Sequence, residues 1–355
     1  MNVRHLCVLL YLITSQAVAQ GFAGLGTQAE GFSLPDPDRQ LIFPQDHGAH
    51  PDFRIEWWYL TANLQDALGQ NYGVQWTLFR TALRPDEPQE PMEGWHSPQI
   101  WMGHAGLTSA THHLSAERLA RGGIGQGGVT TTPFLAWIDD WKMEGQPDLS
   151  KVTLFARGMD FSYTLQAATD GNAPLILHGD RGYSVKSAAG QASHYYSQPN
   201  YKIEGTLNFP YGAVEVSGDG WLDREWSSQP LSSDQTGWDW FSLRFDSGEK
   251  LMAFVLRSRN GDEDYASGSW ISPSGLVQNL SQDDFSAHPL EYEKVAGRSI
   301  PVKWAITLPE RNLSVEISAL NPNSWMDTSV AYWEGPVQVE GSHHGTGYLE
   351  MTGYN

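Results

Sequence analysis

The apolar residues Tyr72, Val74, Trp76 and Leu78 alternate with Gly73, Gln75 and Thr77. A period of two puts the two sets on opposite faces of an extended strand, which no helix can do. The pattern recurs where Phe161, Tyr163 and Leu165 oppose Ser162, Thr164 and Gln166, and where Tyr201, Ile203 and Leu207 oppose Lys202, Glu204 and Thr206. Fifteen Trp, fourteen Tyr and thirteen Phe suit a pleated surface, while 36 Gly and 20 Pro supply the turns. An all-β chain is expected. One short exception is predicted: Leu114 to Arg121 reads as one or two turns of helix after Ser115, stopped by Gly122 and Gly123.

A chain of 355 residues fits two domains of ordinary size. The pattern also restarts. Arg54-Ile-Glu-Trp-Trp-Tyr-Leu60, a turn at Asp66 to Gly69 and a strand ending Leu78-Phe79-Arg80 are matched by Trp238-Asp-Trp-Phe-Ser-Leu243, the turn Asp246-Ser247-Gly248 and a strand ending Val255-Leu256-Arg257. This weak internal duplication predicts one barrel over residues 51–227, a connector over 228–237 and a second barrel over 238–355. The second half carries about eight strands, the number whose closed barrel just holds one small ligand.

Arg4, the apolar run Leu6 to Ile13 and the small-x-small site Ala17-Val18-Ala19 predict a secretory signal over residues 1–19, cleaved near Ala19. An extended lead-in over residues 20–50 follows, and the product is expected in the periplasm or outside the cell. The one cysteine, Cys7, falls within that signal, so no disulfide is expected to staple the mature chain. A formal charge of −19 argues against nucleic acid as a partner.

Chemistry has several candidate carriers. His47 and His50, beside Asp46, are weak metal-ligand candidates that His104 or His112-His113 would complete, but no third ligand stands at a diagnostic spacing. No metal or cofactor is expected. The chain lacks a Gly-x-Ser-x-Gly elbow, and Arg121-Gly-Gly-Ile-Gly-Gln-Gly-Gly128 lacks the ending of a phosphate loop. Glu56 and Asp239 each lie beside Trp in the opening strand of a repeat. Facing a barrel interior, either would be a proton donor; paired with Arg80, Arg224 or Arg257, it would be a structural tie, and the tie is the preferred reading.

Four stretches carry a family resemblance: Asp46-His-Gly-Ala-His-Pro-Asp-Phe-Arg-Ile-Glu-Trp-Trp-Tyr59, Ser193-His-Tyr-Tyr-Ser197, Trp221-Leu-Asp-Arg-Glu-Trp-Ser-Ser-Gln229 and Gly237-Trp-Asp-Trp-Phe241. From about Pro44 onward, the chain resembles the secreted lipocalin-like family that includes carotenoid 1,2-hydratases. The resemblance implies two tandem lipocalin-like antiparallel β-barrels. It also implies relatives that hydrate polyprenoid double bonds, catalyse cyclisations, or are encoded beside ABC-type exporters. Arg224 stands where the hydratase pattern has His, and Leu251 to Leu256 offers no carboxylate where that pattern has a later Asp. Arginine stays protonated and cannot start alkene hydration as an acid.

The first expectation is therefore binding of an apolar small molecule, a lipid or polyprenoid, with an ABC-type transporter as the membrane partner. A cleft or barrel interior lined by Trp57, Trp58, Trp226, Trp238, Trp240, Tyr195 and Tyr196 would hold it, with Arg224, Glu225, Asp239 and Glu56 at its polar end. The alternative is a hydratase or cyclase with Glu56 or Asp239 as acid and the aromatics facing a developing carbocation. Hydrolysis ranks third, for want of a marked nucleophile.

Overall fold

The computed structural model describes residues 29–85, 96–171, 173–229, 231, 234–259 and 264–354. The predicted signal at 1–19 lies outside the described residues, as do residues 230, 232 and 233 of the connector. Among the described residues helix is limited to short 3-10 turns such as Gln45–His47 and Pro309–Arg311. His113–Arg121, expected to hold a helical segment, is instead a strand paired with Gln99–Ser109. Its sequence shows the cause: Leu114 and Ala116 pack on the core at a spacing of two.

Two antiparallel sheets divide the chain. The first runs in spatial order His113–Arg121, Gln99–Ser109, Asn71–Ala82, Ile55–Asp66, Gly212–Ser227, Ala192–Phe209, Ser162–Ala168, Lys151–Arg157, Trp141–Gly145, Phe134–Ile138 and Gly127–Thr131. Its opening strand thus pairs with its last, and the sheet curls until Gly103 lies against Ile138 and Trp141. A Cβ at Gly103 would stand 2.7 Å from the Ile138 side chain, so the missing side chain permits this closure. The second sheet runs Val277–Ser281, Tyr265–Ile271, Lys250–Ser258, Gln235–Phe245, Gly345–Met351, Tyr332–Gly341, Leu313–Ala319, Arg298–Leu308 and Ser286–Val295. With Trp325–Met326 it has ten strands, more than the eight expected. Two tandem lipocalin-like β-barrels result.

Large side chains pack both barrel interiors. Trp58, Trp76, Trp141, Tyr163 and Tyr201 fill the first, and Phe241, Trp304, Ile317 and Trp333 fill the second. The opposite faces of the opening strands Ile55–Asp66 and Gln235–Phe245 are buried too, because the barrels dock on each other there. Asn63 Nδ2 donates to Gly347 O at 2.8 Å, and a Cβ at Gly73 would stand 2.5 Å from Pro336.

Each barrel opens with a hairpin tied by a carboxylate and an arginine. In the first, Asp66 Oδ1 accepts the Leu68 and Gln70 N–H groups at 2.9 Å to shape the turn. Glu56, opposite Arg80 in register, accepts from the Arg80 guanidinium and from Arg224 Nη2 at 2.7 Å. Both arginines are as buried as Glu56. Burial raises the Glu56 carboxyl, but two guanidinium groups and His50 hold it well below the ordinary glutamate range. In the second hairpin Asp239 accepts from Arg257 and, at 3.0 Å, from the Tyr354 hydroxyl.

Removing one partner of a buried charge network leaves the others uncompensated. Glu56→Gln should therefore lower unfolding stability by about 3–5 kcal/mol in chemical denaturation at neutral pH. A loss below about 1 kcal/mol, the worth of a surface pair, would show that the two arginines do not depend on it.

Candidate active site

The sequence places aromatic residues on the outer faces of both opening strands, and docking brings those faces together. Trp57 and Tyr59 lie on the outer face of Ile55–Asp66, Trp238 and Trp240 on that of Gln235–Phe245, and Tyr195, Phe79 and Phe254 complete an aromatic wall. The cleft between the barrels contains about 850 Å³ of space not filled by protein, part of it continuous with solvent.

Polar groups stand at defined places in this wall. Asp223 and Glu225 share one face of Gly212–Ser227, Glu350 reaches in from Gly345–Met351, and Lys186 and His104 complete the set. Asp223 Oδ1 accepts from the Ser197 hydroxyl and from Trp221 Nε1 at 2.8 Å, and the Tyr195 hydroxyl is a further neighbour of the carboxyl. No cation touches it. Burial, with the charge of Glu225, pushes its carboxyl up to about 7, against the hydrogen bonds from Ser197, Trp221 and Tyr195. Glu225 differs: it accepts from Lys186 Nζ at 2.9 Å and from Ser193 Oγ at 2.5 Å. The Lys186 ammonium also sits 4.2 Å from the Phe254 ring centroid.

The second barrel contributes two more carboxyls. Glu350 accepts from Trp238 Nε1 at 2.6 Å and is pushed by burial to about 7. Glu334 stands directly opposite it in the strand register and takes the Tyr59 hydroxyl proton in a hydrogen bond across the barrel interface. Burial, with the charge of Glu350, raises Glu334 well above the ordinary glutamate range. At the far end of the cleft, His104 contacts Tyr332 Oη at 3.0 Å and Glu117 at 3.1 Å. Burial lowers its pKa, so it is a neutral imidazole whose Nε2–H donates to the carboxylate.

The structure separates the predicted site residues into two groups. Trp57, Tyr195, Glu225, Trp238 and Trp240 line the cleft. Trp58, Tyr196, Arg224 and Trp226 lie in the interior or beneath the lead-in, away from the cleft. Arg224 is 3.7 Å from the Trp58 ring centroid, and His50 stacks on Trp226 at 3.9 Å. Glu56 and Asp239, the predicted acids, are the ion-pair ties described above and do not line the cleft. Of the histidines, His47 meets Tyr196 Oη at 2.6 Å and His50 bridges Asp46 and Glu56, whereas His104 belongs to the cleft. Among the described residues no group of three or more His, Cys, Asp or Glu is arranged to hold a metal ion.

Asp223, Lys186, Glu334 and Glu350 were not singled out by sequence. Strand parity is the signal that would have found the first: Asp223 shares a face with Trp221 and Glu225, and Arg224 takes the other.

Residues 34–354 match the AttH-like family model. Among solved structures, a candidate AttH from Nitrosomonas europaea aligns with a TM-score of 0.79 at 32% identity, covering 91% of this chain and 99% of that one. Kievitone hydratase from Nectria haematococca shares the fold at a TM-score of 0.63 and 13% identity, covering 91% of this chain and 98% of its own. CghA, crystallised with Sch210972, does so at 0.53 and 12%, covering 92% and 97%. No curated protein gives a significant sequence match. With its family model spanning nearly the whole described chain and two tandem lipocalin-like barrels as its fold, the chain belongs to the AttH-like family.

Proposed function

We propose that the protein catalyses acid-initiated addition to a carbon–carbon double bond of an apolar small molecule held between the barrels. The observation that carries this reading is Asp223, a carboxyl in an aromatic cleft without a cationic partner, which burial pushes up to about 7. A general acid works best with a pKa near the working pH. Asp223 gives its proton to the alkene, whose π pair forms the new C–H bond, and the O–H pair stays on the carboxylate. The resulting carbocation faces Trp57, Trp240 and Tyr195, whose ring faces stabilise positive charge. Water then adds and yields its proton to a carboxylate such as Glu350, giving hydration. Attack by a second group of the same molecule gives cyclisation instead. Fold likeness to a protein named kievitone hydratase supports a hydratase-type reaction by analogy alone.

A carrier role shares the cleft but not this chemistry. Handing an apolar molecule to an ABC-type exporter needs the aromatic wall and gains nothing from a carboxyl kept protonated. The signal-like residues 1–19 support a site of action in the periplasm or outside the cell.

Polyprenoids and other apolar alkenes, incubated with the protein in ¹⁸O-labelled water and read by mass spectrometry, test the reading. Asp223→Asn should cut turnover about 10²–10⁴-fold while leaving ligand affinity within a few-fold. Wild-type kcat/KM should fall as pH rises through about 7, where Asp223 loses its proton. Binding without turnover by any alkene would leave the carrier role.

The same carboxyl sets a pH dependence of stability. Its folded pKa exceeds its unfolded one, so the folded state binds the proton more tightly and loses stability as pH rises from about 4 to about 7. Asp223→Asn removes that loss. At pH 8 the variant should be more stable than the wild type by about 1–4 kcal/mol in denaturant titrations, and no gain would mean that Asp223 titrates normally.

A further inference from the structure

We propose that His178 is a positioning residue for Asp223, acting through Ser197 and oriented by Ser269 of the second barrel. This inference rests on Asp223 being the acid, and it adds the device that sets its proton affinity.

The geometry is a chain of side chains buried throughout. Ser197 lies opposite Asp223 in the pairing of Ala192–Phe209 with Gly212–Ser227, and its hydroxyl donates to Asp223 Oδ1. His178 follows the short strand Ile176–Leu177 on the other side of Ala192–Phe209, and its backbone N–H donates to Tyr195 O at 3.1 Å. Its Nε2 is 2.6 Å from Ser197 Oγ, and its Nδ1 is 2.9 Å from Ser269 Oγ. His178, Ser197 and Ser269 are all wholly excluded from solvent.

Proton accounting fixes the direction of each bond. Ionised Asp223 can only accept, so Ser197 spends its single O–H on Oδ1. Ser197 must then accept from His178, which places the imidazole proton on Nε2. Nδ1 is left as an acceptor, and the Ser269 hydroxyl donates to it. Burial and Lys186 lower the His178 pKa to about 3, so the ring stays neutral across the working range and acts as a fixed dipole. With Ser197 and Trp221 both donating to Oδ1, the acid's proton belongs on Oδ2. The relay therefore selects which oxygen delivers the proton.

It also ties acid strength to barrel docking. Ser269 lies on Tyr265–Ile271 of the second sheet, while Asp223, Ser197 and His178 belong to the first barrel. Without Ser269 the other His178 tautomer becomes available. Its bare Nε2 would draw the Ser197 proton away from Asp223. The remaining titratable groups around Asp223 are Glu225 with Lys186, Tyr195, Tyr59 and, across the cleft, Glu350. The variants below change none of them.

Infrared pH-difference spectra of the full-length protein read the protonated carboxyl directly, with Asp223→Asn identifying its band. Ser197→Ala removes a donor to the anion and should raise the midpoint by about 1–2 pH units, while Ser197→Thr, which keeps the hydroxyl, should stay near the wild type. Ser269→Ala deletes one oxygen two links away and should shift the midpoint upward by about half a unit, as should His178→Phe. If Ser197→Ala shifts the band and Ser269→Ala, the variant least disturbing to packing, does not, the relay beyond Ser197 is overturned. Asp223→Asn with full turnover would overturn the acid assignment and leave the relay standing, so the two failures are distinguishable.

Discussion

Strand Ile55–Asp66 has almost no side open to water, and the rest of the molecule follows from that. One face, carrying Trp58, Leu60, Ala62 and Leu64, packs the first barrel. The other, carrying Trp57, Tyr59 and Asn63, docks on the second. A lipocalin-like barrel that turned its outer face to solvent would have only its interior to offer a ligand. Here large side chains pack the interior, the second barrel covers the outer face, and the aromatic cleft lies between the barrels. Any carboxyl placed there is desolvated by both.

Desolvation alone does not decide what a carboxyl becomes. Glu56 and Asp223 are equally buried and lie on paired neighbouring strands, with Glu56 opposite Trp226 and Asp223 opposite Tyr59. Glu56 has two guanidinium groups and stays charged; Asp223 has only neutral donors and is held near neutrality. The first arrangement makes a tie, and the second suits the acid role proposed for Asp223. A charged tie and a carboxyl raised by burial thus stand on opposite faces of one sheet.

Much of the fold could be read from the alternation at Tyr72 to Leu78 and from the repeated order of Trp pair, turn and arginine. Both hairpins have that form, each with its carboxylate–arginine tie. The reading failed where strands are covered on both faces, because alternation then disappears. Trp57-Trp-Tyr-Leu60 looks uniformly apolar, so Trp57 and Trp58 seem equivalent although one lines the cleft and the other fills the core. The same loss of contrast grouped Arg224 with Glu225 and hid Asp223 between Leu222 and Arg224. Lys186 and Glu350 had no local signal, since their place in the site comes from which strands meet when two barrels dock. The helical reading of Leu114 to Arg121 rested on local pattern, and pairing with Gln99–Ser109 overrode it.

The central claim is that the ligand site lies between the barrels and not inside either. Crystals of the protein soaked with a brominated isoprenoid alkene would test it through the anomalous signal of bromine. The account predicts a peak within the wall formed by Trp57, Trp240, Tyr195 and Asp223. A peak among Trp58, Trp76 and Tyr163 inside the first barrel, or none in the cleft at saturating ligand, would contradict it.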